Sequence, residues 1–219
     1  MDAGIEALAT AAVALVAERR RVVLGIAGAP GAGKSTLAEG LVRAVAAAMG
    51  DDWVAHVPMD GFHLADVQLE RLGALSRKGA PDTFDADGYA HLLHRVVAEP
   101  DSWVYAPGFD RRLEQPLAAA VVVPPSARLV VTEGNYLLLP EQRWERARAQ
   151  LAEVWFVAGD DELRRARLVE RHVRFGKSPA AALAWVEQSD EANAVAVAAT
   201  ADRADRVVVN GPDGWVLAG

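Results

Sequence analysis

The residues best suited to do chemistry form one short segment, G-A-P-G-A-G-K-S-T, between Gly28 and Thr36. It fits G-x-x-x-x-G-K-[ST], the pattern of a loop whose successive backbone N–H groups wrap phosphate oxygens. Lys34 would place its charge beside the outer phosphates, and the Ser35 hydroxyl would bind Mg²⁺. The segment therefore predicts a site for a nucleotide's phosphates. The predicted binding residues are Gly28, Ala29, Pro30, Gly31, Ala32, Gly33, Lys34, Ser35 and Thr36.

The sequence on either side of this loop supports the assignment. Residues 22–27 form an apolar, β-branched run that is typical of a buried parallel strand. After the loop, Leu37, Leu41 and Val45 recur at helical spacing. The glycines run as G-x-x-G-x-G, so the dinucleotide-binding fingerprint G-x-G-x-x-G is not met. The alternative is an ordinary strand-to-helix turn, which the order of strand, loop and helix disfavours.

Two acids follow later strand-like segments. Asp60 comes after residues 53–59, and Glu133 comes after residues 128–132. Ligands in open parallel sheets lie at the carboxyl ends of the strands, where we also expect Tyr105. A phosphoryl-transfer site needs one acid on the Mg²⁺ side and one near the attacking hydroxyl. The residues alone do not decide which acid does which. Asp60 could instead be a turn residue, and Glu133 could be a helix-start or solvated acid.

A stripe of arginines lies on a predicted helix that Asp160 would cap. Its members recur at i, i+3, i+7 and i+10, and they are Arg164, Arg167, Arg171 and Arg174. Such a stripe could close over phosphates as a lid at about residues 160–178 and neutralise developing charge. The alternative is a solvated helix face on which Glu170 pairs with Arg174.

Lysine is rare in this chain, which has three lysines beside twenty arginines. All three, Lys34, Lys78 and Lys177, lie in glycine-containing segments that look like motifs. Because arginine cannot replace the compact ammonium of lysine as a point charge, this pattern indicates that Lys78 and Lys177 belong to the same site as Lys34. The alternative is that the excess of arginine reflects coding bias alone.

Composition excludes several other classes of protein. With 219 residues and 52% hydrophobic content, residues 1–219 are expected to form one domain that carries a small lid. No cysteine is present, which suits a cytoplasmic protein, and the net charge of −7 argues against a nucleic-acid polymer as partner. The apolar run at residues 11–17 has acids before it and Arg19–Arg21 after it, the reverse of a signal peptide. No run is long enough to span a membrane, and a homodimer is a candidate assembly.

Strands and helices alternate along the chain, which predicts an α/β fold with a parallel β-sheet covered by helices on both faces. Predicted strands after the first lie at 53–59, 102–106, 128–132, 153–157 and 206–210, with a small extra strand at 121–123. Predicted helices include an amphipathic one that contains Ile5, Leu8, Ala12 and Leu15, and others at 64–75, 89–98, 141–151 and from Asp160 and Ser178 onward. Asn210-Gly211 is predicted to begin a turn.

Together these segments resemble the group of P-loop kinases that contains uridine kinase, pantothenate kinase and phosphoribulokinase. The matching segments are the P-loop, D-G-F-H, R-K-G-A-P-D-T-F-D, Y-A-P-G-F-D-R, E-G-N-Y and R-H-V-R-F-G-K-S. Within the group, the likeness is strongest to bacterial kinases of fructose-transport-linked or generic nucleoside and nucleotide type. The resemblance implies a P-loop NTPase fold of the kinase type with a helical lid. It also implies that Asp60 is the base and that Glu133 serves Mg²⁺.

The resemblance further implies that Arg167, Arg171 and Arg174 lie in a lid over the phosphates, and that Arg174 helps to bind the nucleotide. The R-K-G segment, Tyr105, Asp110 and Arg111 would border the acceptor. From residue type alone, a histidine after a strand end such as His63 is more often a turn residue than a base, whereas Tyr105 and Phe109 could equally be core. The predicted acceptor-binding set is Asp60, His63, Arg77, Lys78, Phe84, Tyr105, Phe109, Arg111, Asn135 and Tyr136. Uridine kinases usually carry D-x-F-Y and E-G-I-L here, whereas D-G-F-H and R-K-G are similar to pantothenate kinases.

The resulting hypothesis is an ATP- and Mg²⁺-dependent transfer of a phosphoryl group to a hydroxyl of a small metabolite, such as a sugar, a nucleoside or a pantothenate-like compound. Lys34, Asp60, Glu133, Arg167 and Arg171 are the expected catalytic residues, and Ser35 and Glu133 are the expected metal ligands. Two alternatives stay open: a nucleotide-monophosphate kinase, in which Arg77, Lys78 and Arg111 clamp an acceptor phosphate, and a catalytically degenerate ATP-binding regulator. The guanine-reading motif N-K-x-D is absent, which disfavours a GTPase.

Overall fold

The structure, a computed structural model, describes residues 3–211 and 214–218. Within them, a central six-stranded sheet has the order β2-β5-β1-β6-β7-β8, and a separate hairpin pairs β3 with β4. The strands are β1 Val22–Gly28, β2 Val54–His56, β3 Val104–Asp110, β4 Gln115–Val123, β5 Leu129–Gly134, β6 Glu153–Ala158, β7 Arg206–Gly211 and β8 Gly214–Leu217. The helices are α1 Ala3–Ala14, α2 Lys34–Met49, α3 Asp66–Arg71, α4 Ala86–Ala98, α5 Gln142–Arg148, α6 Asp161–Arg174, α7 Pro179–Trp185 and α8 Glu191–Ala198.

Strand β1 lies at the centre of the sheet and is buried on both faces, as its apolar sequence predicts. Its side chains alternate between two cores, with Leu24 and Ile26 facing one and Val23 and Ala27 facing the other. Helices α1 and α2 cover the first core, and α4, α5 and α8 contribute to the second. The prediction of a sheet covered on both faces is confirmed. The sheet is mixed, however, because β8 pairs antiparallel with β7 at the edge.

The hairpin β3–β4 corrects one sequence-based expectation. The predicted strand 102–106 was expected to join the parallel sheet, but β3 pairs antiparallel outside the main sheet with β4, which contains the small extra strand predicted at 121–123. The sequence predicted that these segments are strands, but it did not predict that they pair with each other. The hairpin packs so closely on the turn Met59–Phe62 that a Cβ on Gly61 would lie 2.2 Å from the Pro107 carbonyl oxygen. The hairpin thus packs directly against the turn that carries Asp60.

Capping residues predicted where helices begin more accurately than apolar periodicity predicted how long helices are. The Asp160 side chain accepts from the Leu163 N–H, and the Ser178 side chain accepts from the Ala181 N–H, so both predicted caps are confirmed. The helices predicted at 64–75 and 141–151 are shorter, at Asp66–Arg71 and Gln142–Arg148. After α7, the π-helical turn Val186–Asp190 leads into α8. The predicted turn after Gly211 falls on residues 212–213, outside the described residues.

The amphipathic N-terminal helix is confirmed, since Ile5, Leu8 and Ala12 are buried against the sheet. Among the residues that the structure describes, none of the helices combines the length and the apolar character that a bilayer crossing needs.

Candidate active site

The P-loop connects β1 to α2 in the geometry that its sequence predicts. Gly31 and Gly33 have φ angles of 78° and 102°, in the left-handed region that favours glycine. A Cβ on Gly31 would also lie 2.9 Å from the backbone oxygen of Arg164, so helix α6 packs directly on the loop. Helix α2 begins at Lys34, and its first N–H groups therefore face the cleft as an anion-binding helix terminus.

Lys34 is buried at the floor of the cleft, where its side chain donates a 3.1 Å hydrogen bond to the Ala29 carbonyl oxygen. Burial lowers the pKa of Lys34 to about 8, although the negative charges of Glu133 and Asp60 oppose this shift. The lysine is therefore a desolvated cation whose charge nearby anions stabilise, as a phosphate-binding group requires.

Glu133 lies near the carboxyl end of β5, directly beside Ile26 of β1, and is 6% exposed. Burial raises the pKa of Glu133 to about 7, and the charge of Asp60 adds to the shift, while Lys34 and a hydrogen bond from Ser35 oppose it. The hydroxyl and the carboxylate predicted to share a metal ion thus contact each other at the end of the P-loop.

Asp60 lies in the turn Met59–Phe62 and forms an ion pair with Arg111 of the hairpin. Burial alone would raise the pKa of this carboxyl, but Arg111, His63 and Lys34 outweigh it and hold the pKa below its usual value. Asp60 is therefore ionised at neutral pH and can accept a hydrogen bond or a proton from a hydroxyl.

Ser35 and Glu133 are suited to Mg²⁺, which prefers oxygen ligands. Across residues 3–211 and 214–218, no group of three or more His, Asp or Glu side chains is arranged to hold a metal alone. Mg²⁺ at a kinase site is ordinarily bound by one or two protein oxygens together with water and substrate phosphates. The hydroxyl–carboxylate contact offers such a partial ligand set.

Helix α6 divides the predicted arginine stripe into three environments. Arg164 is buried and bonds the Asp161 carboxylate at 2.9 Å, the Pro30 carbonyl at 3.3 Å and the Glu191 carboxylate. Arg167 and Arg171 line the cleft. Arg174 lies outside it, with a side chain that is 70% exposed and paired with Glu170 at 2.8 Å.

This arrangement corrects two expectations. Arg164 is a structural residue that joins α6 to the P-loop and to α8, because its guanidinium is already used by internal partners. Arg174 was expected to bind the nucleotide, but the helix turns its side chain away from the cleft into the solvated i,i+4 pair that was the alternative.

Several predicted acceptor residues converge opposite the P-loop. The His63 ring lies 4.0 Å from the Phe84 ring and 4.8 Å from the Phe109 ring, measured between centroids, and its Nδ1 is 2.8 Å from the Asp60 carbonyl oxygen. Burial lowers the pKa of His63, although Asp60 opposes the shift. Lys78 pairs with Asp66 at 2.6 Å. The residues of the predicted set that line the cleft are Asp60, His63, Lys78, Phe84, Phe109, Arg111 and Asn135.

Three members of the predicted acceptor set lie elsewhere. Tyr105 is 57% exposed on the outer face of the hairpin, because side chains alternate along β3 and its neighbours face inward. Arg77 pairs with Asp82 on the surface. Tyr136 is buried and donates to the Gly79 carbonyl oxygen, so it positions the segment that carries Lys78. Asp110, which was expected to border the acceptor, accepts from the N–H groups of Arg112 and Leu113 in the hairpin turn.

Within the described part of the chain, two cavities of about 720 Å³ and 400 Å³ meet in this cleft. The larger is lined by P-loop residues, Arg167 and β7–β8 residues, and we call it the nucleotide cavity after the predicted role of the P-loop. The smaller is lined by the hairpin, residues 63–84 and the α6–α8 segment, and we call it the acceptor cavity after the predicted acceptor residues that line it. The wall that both share consists of Gly31, Lys34, Ser35, Asp60, Phe109, Arg111, Glu133 and Arg171. The two predicted carboxylates and the P-loop lysine thus lie where the cavities join.

Sequence reasoning missed some lining residues. Asn210 and Trp215 reach the P-loop from β7 and β8, and a Cβ on Gly33 would lie 3.2 Å from each side chain. His56 also lines the nucleotide cavity, and its Nε2 is buried without a hydrogen-bond partner among the described residues. His172, Trp185 and Asp190 line the acceptor cavity. A motif search has little chance of finding such residues, because they come from segments far apart in the sequence.

Comparisons with known proteins agree with this geometry. No family model matches the chain. A Schizosaccharomyces pombe protein whose name proposes a uridine kinase is 36% identical over 75% of this chain and 72% of its own length. An ATP-dependent kinase-like protein of Aspergillus versicolor is 39% identical over 58% of this chain and 77% of its own. The crystal structure of a proposed fructose transport system kinase from Silicibacter sp. TM1040 superposes with a TM-score of 0.80 at 36% identity, over 90% of this chain and 94% of that one. With its P-loop, its mixed sheet and these relatives, the chain belongs to the uridine kinase-like family of P-loop kinases.

Proposed function

We propose that the protein transfers the γ-phosphoryl group of ATP to a hydroxyl group of a small metabolite. The observation that carries the proposal is the shared wall, where Lys34, Asp60 and Glu133 lie at the junction of the two cavities. A nucleotide on the P-loop and an acceptor in the smaller cavity would bring the reacting atoms together at that wall. Holding two reactants in line is a large part of the catalysis of phosphoryl transfer.

Each residue of the shared wall has a definable task in this reaction. The acceptor oxygen forms a bond to the γ-phosphorus, the bond to the β,γ-bridging oxygen breaks, and ADP leaves. Asp60 is ionised, so it can orient the hydroxyl and take its proton. Lys34 and Arg171 would stabilise the charge on the transferring group, and Arg167 borders the nucleotide side.

Ser35 and Glu133 would hold Mg²⁺ in this scheme, since they provide adjoining oxygen ligands. When bound, the ion would neutralise charge on the β- and γ-phosphates. Glu133 would ionise more readily next to a cation, because the opposite charge offsets the burial that raises its pKa.

A product screen tests the proposal. The protein is incubated with ATP, Mg²⁺ and a panel of sugars, nucleosides and pantothenate, and products are identified by mass. A phosphorylated acceptor whose formation Asp60→Asn abolishes is the expected result. The exposed Asp82→Asn variant is the matched control, because Asp82 is also ion-paired to an arginine but lies outside the cleft. ATP binding without a product from a broad panel, or product formation that Asp60→Asn leaves unchanged, would contradict the proposal.

A further inference from the structure

Among the described residues, five cationic side chains and five carboxylates line the acceptor cavity, but not every cation is paired with a carboxylate. Asp60, Asp66 and Asp190 are already partnered, by Arg111, Lys78 and His172 respectively. Glu133 lies in the shared wall beside Lys34, and Glu114 lies at the exposed end of the hairpin. Arg171 and Lys177, by contrast, take part in none of the ion pairs found among the described residues, although the charges of Asp190, Asp60 and Glu114 act on Arg171.

Arg171 and Lys177 differ in the cavity that they serve. Arg171 belongs to the shared wall, where the transferring phosphoryl group would lie. Lys177 lines only the acceptor cavity. Its charge is therefore placed to act on the acceptor and not on the nucleotide.

The backbone of Lys177 is fixed by two consecutive helix caps. Gly176 has a φ of 99°, its N–H donates to the Val173 oxygen, and the Lys177 N–H donates to the His172 oxygen, each at 3.0 Å. This pattern is a Schellman motif, which ends α6 at a defined residue. Ser178 then caps α7 immediately after Lys177. A lysine held between two caps loses less backbone entropy when it binds a ligand.

The partner of the Lys177 side chain is aromatic. Its Nζ lies 4.4 Å from the centroid of the Trp185 ring, which orients the ammonium group without cancelling its charge. Trp185 directly precedes the π-helical turn Val186–Asp190, a type of turn that is frequent at functional sites, and Ser189 from that turn also lines the cavity. The ammonium is thus oriented, partly buried and still available to an anion.

We propose that the acceptor carries an anionic group, a carboxylate or a phosphate, which Lys177 binds on the wall of the acceptor cavity that the nucleotide does not share. This inference rests on the proposed function and narrows its substrate class. The hydroxyl that receives the phosphoryl group is presented to Asp60, while the anionic group fixes the orientation of the acceptor.

Matched pairs of compounds test this inference, each pair differing only in the anionic group. The pairs are pantothenate with pantothenol, and glycerol 3-phosphate with glycerol; the first tests a carboxylate and the second a phosphate. KM and kcat are measured for each compound with the wild type, Lys177→Met, Lys177→Arg and the surface control Arg143→Met. Binding of the same compounds is measured by calorimetry in the presence of a non-hydrolysable ATP analogue.

The expected result is that the wild type prefers the anionic member of at least one pair. Lys177→Met should then raise KM for that compound about 10- to 100-fold, with kcat and the KM for ATP unchanged. Lys177→Arg should keep part of the preference, and Arg143→Met all of it. The pair that responds identifies the group as a carboxylate or a phosphate.

The opposite outcomes are equally specific. Equal use of both members of every pair, an equal loss for both in Lys177→Met, or a raised KM for ATP would overturn the assignment of Lys177 and leave the kinase proposal standing. If none of the compounds is phosphorylated, the result counts against the proposed function. Calorimetry then decides the assignment of Lys177. Tighter binding of the anionic compound that Lys177→Met removes supports the assignment, and the absence of such a preference in the wild type overturns it.

Discussion

The two halves of the cleft are built in different ways. The phosphate-binding part of the nucleotide cavity comes from one continuous segment, Gly28 to Thr36, between a buried strand and a helix. The acceptor cavity is assembled from the hairpin, the segment around Lys78, the strand end at Glu133 and the region from α6 to α8. Phosphates are the same in every nucleotide, so a local backbone arrangement can bind them. In the proposed reaction an acceptor needs its own shape and charge, which segments far apart in the sequence would supply here.

The largest expected effect is at the wall where the halves join. Asp60→Asn should lower kcat by about 10²- to 10⁴-fold, because the amide cannot take the hydroxyl proton. The KM for ATP should change little, since the substitution leaves the backbone and side chains of the P-loop unchanged. Single-turnover and steady-state kinetics measure both constants. If Asp60→Asn raised only the KM for ATP, the division into a nucleotide half and an acceptor half would be wrong.

A smaller effect distinguishes two arginines of α6. Arg171→Ala should lower kcat by about 10²- to 10³-fold, because Arg171 would stabilise charge on the transferring group. Arg174→Ala should change kcat by less than about 2-fold, because the Arg174 side chain lies outside the cleft in an exposed ion pair with Glu170. Equal losses in both variants would mean that the whole stripe faces phosphate, as the sequence pattern alone suggests.

A backbone contact supports the acceptor half, and Gly61 provides the test. A Cβ at this position meets the Pro107 carbonyl, so Gly61→Ala should lower the free energy of unfolding by about 1–3 kcal/mol and raise the KM of the acceptor. Gly159→Ala is the matched control for stability, because no atom lies within 4 Å of the added Cβ. Denaturant unfolding measures the difference, and equal stability of the two variants would contradict the close packing described for the hairpin.

The smallest expected effect is a pH dependence that arises in the acceptor half. Burial lowers the pKa of His63 in the folded state below its ordinary value of 6.5. The unfolded chain therefore binds the proton more readily, and the contribution of His63 to stability falls as the pH drops below 6.5. His63→Asn should flatten the stability profile between pH 7 and 5 by up to about 1.4 kcal/mol per pH unit. Identical profiles for the wild type and the variant would show that His63 is solvated.

The sequence predicted the local P-loop segment of the nucleotide cavity better than the acceptor cavity, which distant segments assemble. Gly31, Gly33 and Lys34 were identified because a phosphate loop imposes residue types at fixed spacing, and Asp160 and Ser178 because a helix cap is a local hydrogen bond. Arg174 could not be separated from Arg171, since both share one helical stripe and only the packing of α6 decides which faces the cleft. The prediction that Tyr105 borders the acceptor was wrong for a similar reason. Long-range packing decides which strand pairs with β3, and so which face of β3 is exposed.

Arg164 has a further consequence for motion. Its guanidinium joins the first turn of α6 to the Pro30 carbonyl and to Glu191 of α8, so that end of the helix is anchored to the floor of the cleft. If α6 rotates when nucleotide binds, the rotation must occur about the end that Arg164 holds. The displacement should then be largest at the opposite end, at Gly176, which positions Lys177. Distances from spin labels at Arg165 and Arg174 to one on α2 would reveal the pivot as a larger change at the distal label; equal changes would mean that the helix moves as a whole.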